Sequence, residues 1–490
     1  MSIYQPCFNS AALRCAKTLL IIAGICFLSS CALWDASNAS PNESDDAGDI
    51  APIADILQDT VGTDATDDPI EDALDDISDT SDTSDTPGCQ GLGLDQTFAV
   101  APGSSNPQYQ VRAAFDGTGI WVVYTEAADE ESANDNYAHH IFATRISCSG
   151  EQRATPIQLN LAPIYLKNPA PTVEIKDGTV YFAWSTKSSQ GGQATDIMMR
   201  TYNVDGEAMM LAPQKVVFNI DQRIGEWRDV SIVALSATRA VIAATGGNTS
   251  GSQIFMQVIT QQGESINPAV LANSALDNLQ KLPVAAIAAS GDIWVGWQQL
   301  VVDGATNNPW FTHYRSFASD TLSPLTDVTR VGKQTTSAPM LARSDFSAQN
   351  AASEQTYFVL TSRYETGPVV YLGNATHAIG LSMISAGTGM NESPSVAAAE
   401  DGGVVAWHFG TEEEGGSFQA EIYTQTFSDN RDMIELNAPR SIATFSSLNR
   451  NQRLLGGPSI VHVGGDNYFV VWHENPDSMV STLRGRFIEF

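Results

Sequence analysis

Bases are scarce in this chain: 25 Lys and Arg stand against 56 Asp and Glu in 490 residues, a formal net charge of −31. A surface this acidic repels phosphate backbones, which excludes nucleic acid as a partner. Long apolar runs are missing too. The most apolar stretch, residues 18–30 (TLLIIAGICFLSS), falls short of the ~20 residues that a transmembrane helix needs. Helical periodicity is absent from residues 89–490, so a helical bundle is excluded. The chain has no G-x-S-x-G elbow, P-loop, H-E-x-x-H or C-x-x-C. Neither a cofactor nor a metal is therefore expected. Cysteines number six, and after residue 31 only Cys89 and Cys148 remain, too few for a structural zinc site, which usually takes four ligands.

What is present begins with a leader. Residues 1–17 carry Arg14 and Lys17 and no acid, and the apolar run follows, which is the pattern of an export signal. The run ends Leu28-Ser29-Ser30-Cys31. This resembles the bacterial lipobox, a Leu three places before a Cys with small residues between. The resemblance implies cleavage before Cys31, a diacylglycerol on its thiol and an acyl chain on the new amino group. Several acyl chains at ~0.8 kcal/mol per buried CH₂ make a lasting anchor. Ala32 follows the cysteine; by resemblance to Gram-negative lipoproteins, a residue other than Asp here implies the outer membrane, on a side that the residues leave open. An ordinary secretory signal with a chance cysteine is the other reading of the same stretch.

Residues 31–88 then read as a tether. Positions 32–88 contain no Lys or Arg, include DISDTSDTSDT, and close on Pro87-Gly88. So much charge and so little apolar content cannot offset the entropy of ordering, so disorder is expected. As a random coil the segment spans roughly 40 Å. A short amphipathic piece, 69–77, could form a turn or two of helix. Calcium chelation would require Gly-containing loops of fixed spacing, which are absent.

Cys7, Cys15 and Cys26 leave with the leader and Cys31 takes lipid. Cys89 and Cys148 are an even pair in an oxidising compartment and are expected to form a disulfide. The loop it closes is worth about 4 kcal/mol in the chain-entropy model.

Residues 89–490 repeat. The segments 171–186, 283–299, 394–409 and 458–474 each open with Pro and an apolar strand, turn on Gly, and run a second strand through Trp184, Trp297, Trp407 or Trp472. Weaker copies lie at 109–126, with Tyr124 in the Trp slot, at 230–247, and from Pro339 to Leu360 with an expanded turn. A third strand and a short fourth strand follow in each copy, least clearly in the fifth (369–383). Seven units of four β segments predict an all-β fold, a seven-bladed β-propeller. The loose Pro-to-Trp repeat resembles those of bacterial propeller repeat proteins and implies a fold, not an activity. The chain stops on the third strand of unit seven, while an orphan strand, 93–102, precedes unit one. The orphan is expected to complete the last blade and close the ring.

Repeated Trp, Gly and Pro are assigned to packing and turns. His408 and His473 follow motif Trp residues and are assigned to packing as well. His139-His140 beside Asp135 is a weak metal signal, because adjacent residues of a strand point opposite ways. The sialidase-type Asp box, S-x-D-x-G-x-x-W, has no true copy; Ala114–Trp121 resembles part of one. The loops leading into the inner strands gather Lys167, Arg223, Arg228, Lys281, Lys333, Arg450 and Arg453, with Tyr165 and Trp227 among them. They suggest a ligand site at the channel mouth for an anionic glycan or a protein loop, with Arg as bidentate donor and aromatics for stacking. The same bases also offset nearby Asp221, Glu226, Asp229 and Asp277. Catalytic residues are not assigned; Glu226, Asp229, Asp277 and Glu392 are carboxylates that a glycosidase would need to pair. Three functions stay open: a lipid-anchored binding or scaffold module for a glycan or protein, a polysaccharide-active enzyme, or a subunit of an envelope assembly.

Overall fold

The computed structural model describes Cys89 and residues 95–490, apart from 102–105, 129–137, 153–154, 167–168, 188–194, 221–223, 225, 249–250, 274–278, 289, 301–309, 335–339, 344–355, 365–366, 375–378, 385–389, 400–401, 413–417, 430–432, 448–456 and 475–481. The leader, Cys31 and the tether lie outside the described residues. So does the expanded turn of unit five.

Each unit folds as consecutive antiparallel strands. In unit two, Thr172–Lys176 turns through Asp177-Gly178, both at positive φ (48° and 79°), into Thr179–Lys187. A two-residue Asp-Gly turn of this hand matches strand twist, which is why the pair closes there. Thr195–Asn203 and Gln214–Lys215 follow outward. The fifth unit obeys the same order: Met340–Arg343, Thr356–Tyr364, Gly367–Asn374 and Ile379–Ile384.

The strands hydrogen-bond into six sheets. Five have four or five strands and form one blade each. The sixth has eight, from units two and three together. Here the structure departs from the seven separate sheets that the repeat predicts, and the cause is local. The first strand of unit three, Glu226–Ser236, starts beside the third strand of unit two. A single parallel bridge, Glu226↔Thr195, joins them, and Trp227 N donates to Thr195 Oγ1 at 2.8 Å. The first strands neighbour one another in cyclic order, from Gln108–Phe115 through Thr172–Lys176, Glu226–Ser236, Gln280–Ile287, Met340–Arg343 and Met390–Ala399 to Ser459–His462, and the last touches the first. Antiparallel sheets set around a ring of inner strands are a β-propeller.

The core lies between units. Trp184 packs with Trp121, Val123 and Ile141 of unit one. Trp297 packs with Val241, Ile254 and Met256 of unit three, Trp407 with Val359 and Leu372 of unit five, and Trp472 with Val404 and Ile442 of unit six. Tyr124, in the same slot of unit one, packs against Phe469 and Val471 of unit seven. All are fully buried. The repeated aromatic is thus an inter-blade wedge, as the sequence implies.

The ring closes on its own beginning. Thr97–Ala99 pairs antiparallel with Thr482–Glu489, Phe98 standing opposite Gly485. Val100 N donates to Leu483 O at 3.0 Å, and Cys89 N to Val463 O at 2.8 Å. Phe98 stacks on Phe469 and Phe487 at centroid distances of 6.1 and 6.0 Å. A Cβ on Gly485 would lie 2.7 Å from Phe469 and 2.8 Å from Val100, so only glycine fits. Cys89 and Cys148 are disulfide-bonded, with Cα atoms 4.7 Å apart. Asp95 accepts from Arg486 Nη2 at 2.8 Å and Arg440 Nη2 at 3.0 Å. These hydrogen bonds, Arg486's foremost, hold its pKa below the usual carboxylate value.

Candidate functional site

The start of each inner strand pairs with the end of the second, as Gln108↔Glu126 and Gln280↔Gln299 show. The inner-strand starts therefore share one end of the ring with the second-to-third loops. At that end the strands carry a recurrent irregularity. The register slips between Tyr109 and Arg112, Arg228 and Ser231, Lys281 and Val284, and Glu392 and Ser395. Inside each slip one residue takes positive φ: Gln110 (54°), Asp229 (51°), Leu282 (54°) and Ser393 (51°); Ala170 (46°) does so just before the inner strand of unit two. None is glycine, so each costs ~1–2 kcal/mol. The repeat Pro follows directly at Pro171, Pro283 and Pro394, where the bulge needs no ladder donor.

Hydrogen bonds between neighbouring units offset that strain. Gln110 Oε1 accepts from Ala170 N at 3.3 Å, and Asp229 Oδ2 from Leu282 N at 3.4 Å. Two residues on, Ser231 and Ser395 accept from Ala285 N and Ile460 N at 3.0 and 3.3 Å, and Ser459, on the inner strand of unit seven, accepts from Ala113 N at 3.1 Å. The Ser after the bulge is thus an inter-blade clamp.

One bulge differs chemically. Asp229 places a carboxylate where the other described bulges have Gln110, Ala170, Leu282 and Ser393. Its side chain is largely buried, and desolvation raises its pKa; Arg228, the Leu282 amide, Thr245 and Lys281 act against that rise. Arg228 Nε lies 3.9 Å from Asp229 Oδ2, a loose pairing, and Thr245 Oγ1 donates to it at 3.3 Å. Lys281, on the next inner strand, sits with Nζ 3.8 Å from the Trp310 ring centroid. Burial lowers the Lys281 pKa; Asp229 raises it and Arg228 lowers it. Two cations, one partly desolvated carboxyl and one indole therefore meet where units three and four adjoin. This set can hold an anionic group between Arg228 and Lys281 and present a flat aromatic to a sugar ring.

Of the residues that the sequence nominates, Arg228 and Lys281 come together around Asp229. Trp227 is a correction. It stacks on Phe218 at 4.0 Å and meets Phe255 edge-on at 5.3 Å, filling the core between units two and three. The reason is that unit three carries Ala244, opposite its bulge, where units four and six have Trp297 and Trp407 and unit one has Tyr124. Trp227 supplies the missing volume and presses on Gly246, where a Cβ would come within 2.6 Å of it. Tyr165 is exposed on Ile164–Tyr165, paired with Ala138–His139 of unit one, and no described contact brings it to Arg228. Lys167, Arg223, Arg450, Arg453, Asp221 and Asp277 lie outside the described residues. The pairing of Trp310 with Lys281 is not legible in the sequence, because Gln280–Ile287 and Trp310–Phe317 are not adjacent strands but flank a common neighbour.

His408 and His473 are buried, their rings 5.4 Å apart between units six and seven, in keeping with packing. His139 is buried and His140 meets Gln158 at 2.9 Å; among the described residues no three His, Cys, Asp or Glu gather as a metal site. No helix of the described residues is long and apolar enough to cross a membrane.

No protein-family model matches the chain, and no curated protein matches it. Solved structures do resemble it. An ulvan lyase, a polysaccharide lyase, aligns with 80% of this chain and 96% of its own at 9% identity and a TM-score of 0.51. An α-L-arabinanase of Penicillium chrysogenum aligns with 71% and 98% at 13% identity (TM-score 0.41). The β-propeller domain of the Trilobed protease of Pyrococcus furiosus aligns with 79% and 93% at 9% identity (TM-score 0.41). At such identities the likeness is one of fold.

Proposed function

We propose that this chain is a lipid-anchored envelope protein of a Gram-negative outer membrane whose seven-bladed propeller binds an anionic glycan at the mouth between units three and four. The observation that carries the binding reading is the Arg228–Asp229–Lys281–Trp310 cluster. A carboxylate-bearing sugar meets Arg228 and Lys281 with its charge and Trp310 with its ring. Trp310 can stack on any sugar ring, so the preference for an anionic sugar rests on Arg228 and Lys281, whose charge Asp229 offsets in part. The lipidated address rests on Leu28-Ser29-Ser30-Cys31 and the basic leader. The count of seven rests on seven repeats, on the cyclic order of seven inner strands, and on the single bridge joining units two and three.

Glycan-array binding of the full mature chain tests the reading. Polyuronates should bind, and Arg228→Ala with Lys281→Ala should weaken them about 10- to 100-fold, two charged contacts at ~1.5–3 kcal/mol each less solvent screening. Equal binding by the double variant would remove the site. A polysaccharide-active enzyme is the second reading, favoured by the buried carboxyl of Asp229. It demands new reducing or unsaturated ends from a polyuronate, lost in Asp229→Asn.

A further inference from the structure

We infer that the outer rim of units one to three is a membrane-contacting flank that rests on the bilayer to which the anchor holds the protein. The inference depends on the lipid-anchor reading for proximity but stands on different residues. The outer segments of these units, 155–166, 208–220 and 265–273, hold a single charged residue, Lys215, in a chain with 56 acids. The corresponding segments carry Asp320, Asp327, Arg330 and Lys333 in unit four, which adjoins unit three, and Asp429, Glu435 and Arg440 in unit six, farther round the ring.

The uncharged segments are set side by side. Arg200 donates to Leu159 O and to Leu211 O, both at 3.3 Å, joining the rims of units one and two. Ser265 Oγ donates to Val217 O at 2.8 Å and joins units two and three. Along this belt Leu161 is 74% exposed, Leu211 97%, Val217 60% and Ile266 46%. Leu325, Met383 and Met433 are exposed singly on units four, five and six, whereas these four form a row, and a row of large apolar side chains marks an interaction surface. Pro163, Pro213 and Pro268 interrupt the three edges, which bars a partner that adds a strand.

The flanking residues select the cover. Tyr165, 60% exposed, lies four residues past Leu161, and Lys215 holds its ammonium 2.7 Å from Asp196 with its stem in the open. An exposed Tyr and a Lys beside an apolar strip are residue types that sit at headgroup level of a bilayer. A second copy of the chain carries the same strongly negative net charge and is repelled, whereas a neutral bilayer is not. The tether, roughly 40 Å as a coil, keeps the ring within reach.

Flotation of residues 32–490, which lack the leader and acylated cysteine and keep the whole ring, tests the inference on vesicles of phosphatidylethanolamine and phosphatidylcholine. The wild-type chain should float with the vesicles. Leu161→Glu, Leu211→Glu and Val217→Glu together should cut the bound fraction on the order of tenfold or more while the melting temperature stays put, since all three side chains are exposed. Glu435→Ala, exposed on unit six farther round the ring, should leave flotation unchanged. No flotation, equal flotation of the triple variant, or a dimer that the triple variant dissolves would overturn it. The anchor reading fails separately, by absence of labelled palmitate at Cys31.

Discussion

The seam between units seven and one and the mouth between units three and four are built on the same repeat and use charge in opposite ways. At the seam Asp95 is exposed, bridged by Arg440 and Arg486, and held below its ordinary pKa. At the mouth Asp229 is largely buried, loosely met by Arg228, and pushed above it. The seam adds a disulfide, a borrowed strand and a stack of Phe98, Phe469 and Phe487. Those features stand in for the chain continuity that joins the other units. The mouth adds nothing of that kind. It keeps a carboxylate where a neutral residue suffices elsewhere, and the proposed ligand site rests on that difference.

The widest difference is covalent. Cys89→Ala should lower unfolding stability by about 4 kcal/mol, read from denaturant midpoints, through the entropy of the 59-residue separation it releases. Loss of less than about 1 kcal/mol would mean that strand and ion pairs seal the ring by themselves. Removing side chains at the mouth should cost far less.

Acid should separate the regions next. Burial lowers His139 and His313 to about 4, against 6.5 for the free residue. The unfolded chain binds their protons first, so stability falls as pH drops from about 6.5 to about 4 and levels off below, by up to a few kcal/mol for each histidine. Urea midpoints against pH check this, and His139→Gln with His313→Gln should flatten the slope. Asp95 acts lower: its contribution is present above the unfolded pKa and is lost as pH falls through its depressed folded value.

Gly485→Ala comes third. The new methyl enters the space of Phe469 and Val100 and should cost ~1–3 kcal/mol in thermal melts. The smallest effect is the sharpest. Asp95→Asn should destabilise by less than about 1 kcal/mol, since an exposed pair contributes little. Asp229→Asn should leave stability unchanged or raise it by a similar amount, since it removes a desolvated charge. Equal signs at the two positions would erase the distinction between seam and mouth.

The closure was legible because it is a matter of register: a chain ending on a third strand, an unmatched strand at its start, and two cysteines that fall at the same junction. The wedge was legible because Trp184, Trp297, Trp407 and Trp472 repeat. The bulges were not, since Gln110, Ala170, Asp229, Leu282 and Ser393 share no chemistry and none is the glycine that marks positive φ. Trp227 misled for a related reason. An aromatic beside Arg228 looks like a ligand shelf until Ala244 is seen to leave a hole that something must fill. Contacts across a strand, such as Lys281 with Trp310, depend on a third strand and leave no local trace. The fusion of units two and three hangs on one bridge and is likewise invisible.

The mouth belongs to a ring shut by its own first strand. Hydrogen exchange of the full mature chain reads this directly at the Val100 amide, which donates to Leu483. Exchange there as slow as in Thr482–Glu489 is expected. Exchange at the free-peptide rate, with the remaining strands protected, would contradict the closed ring.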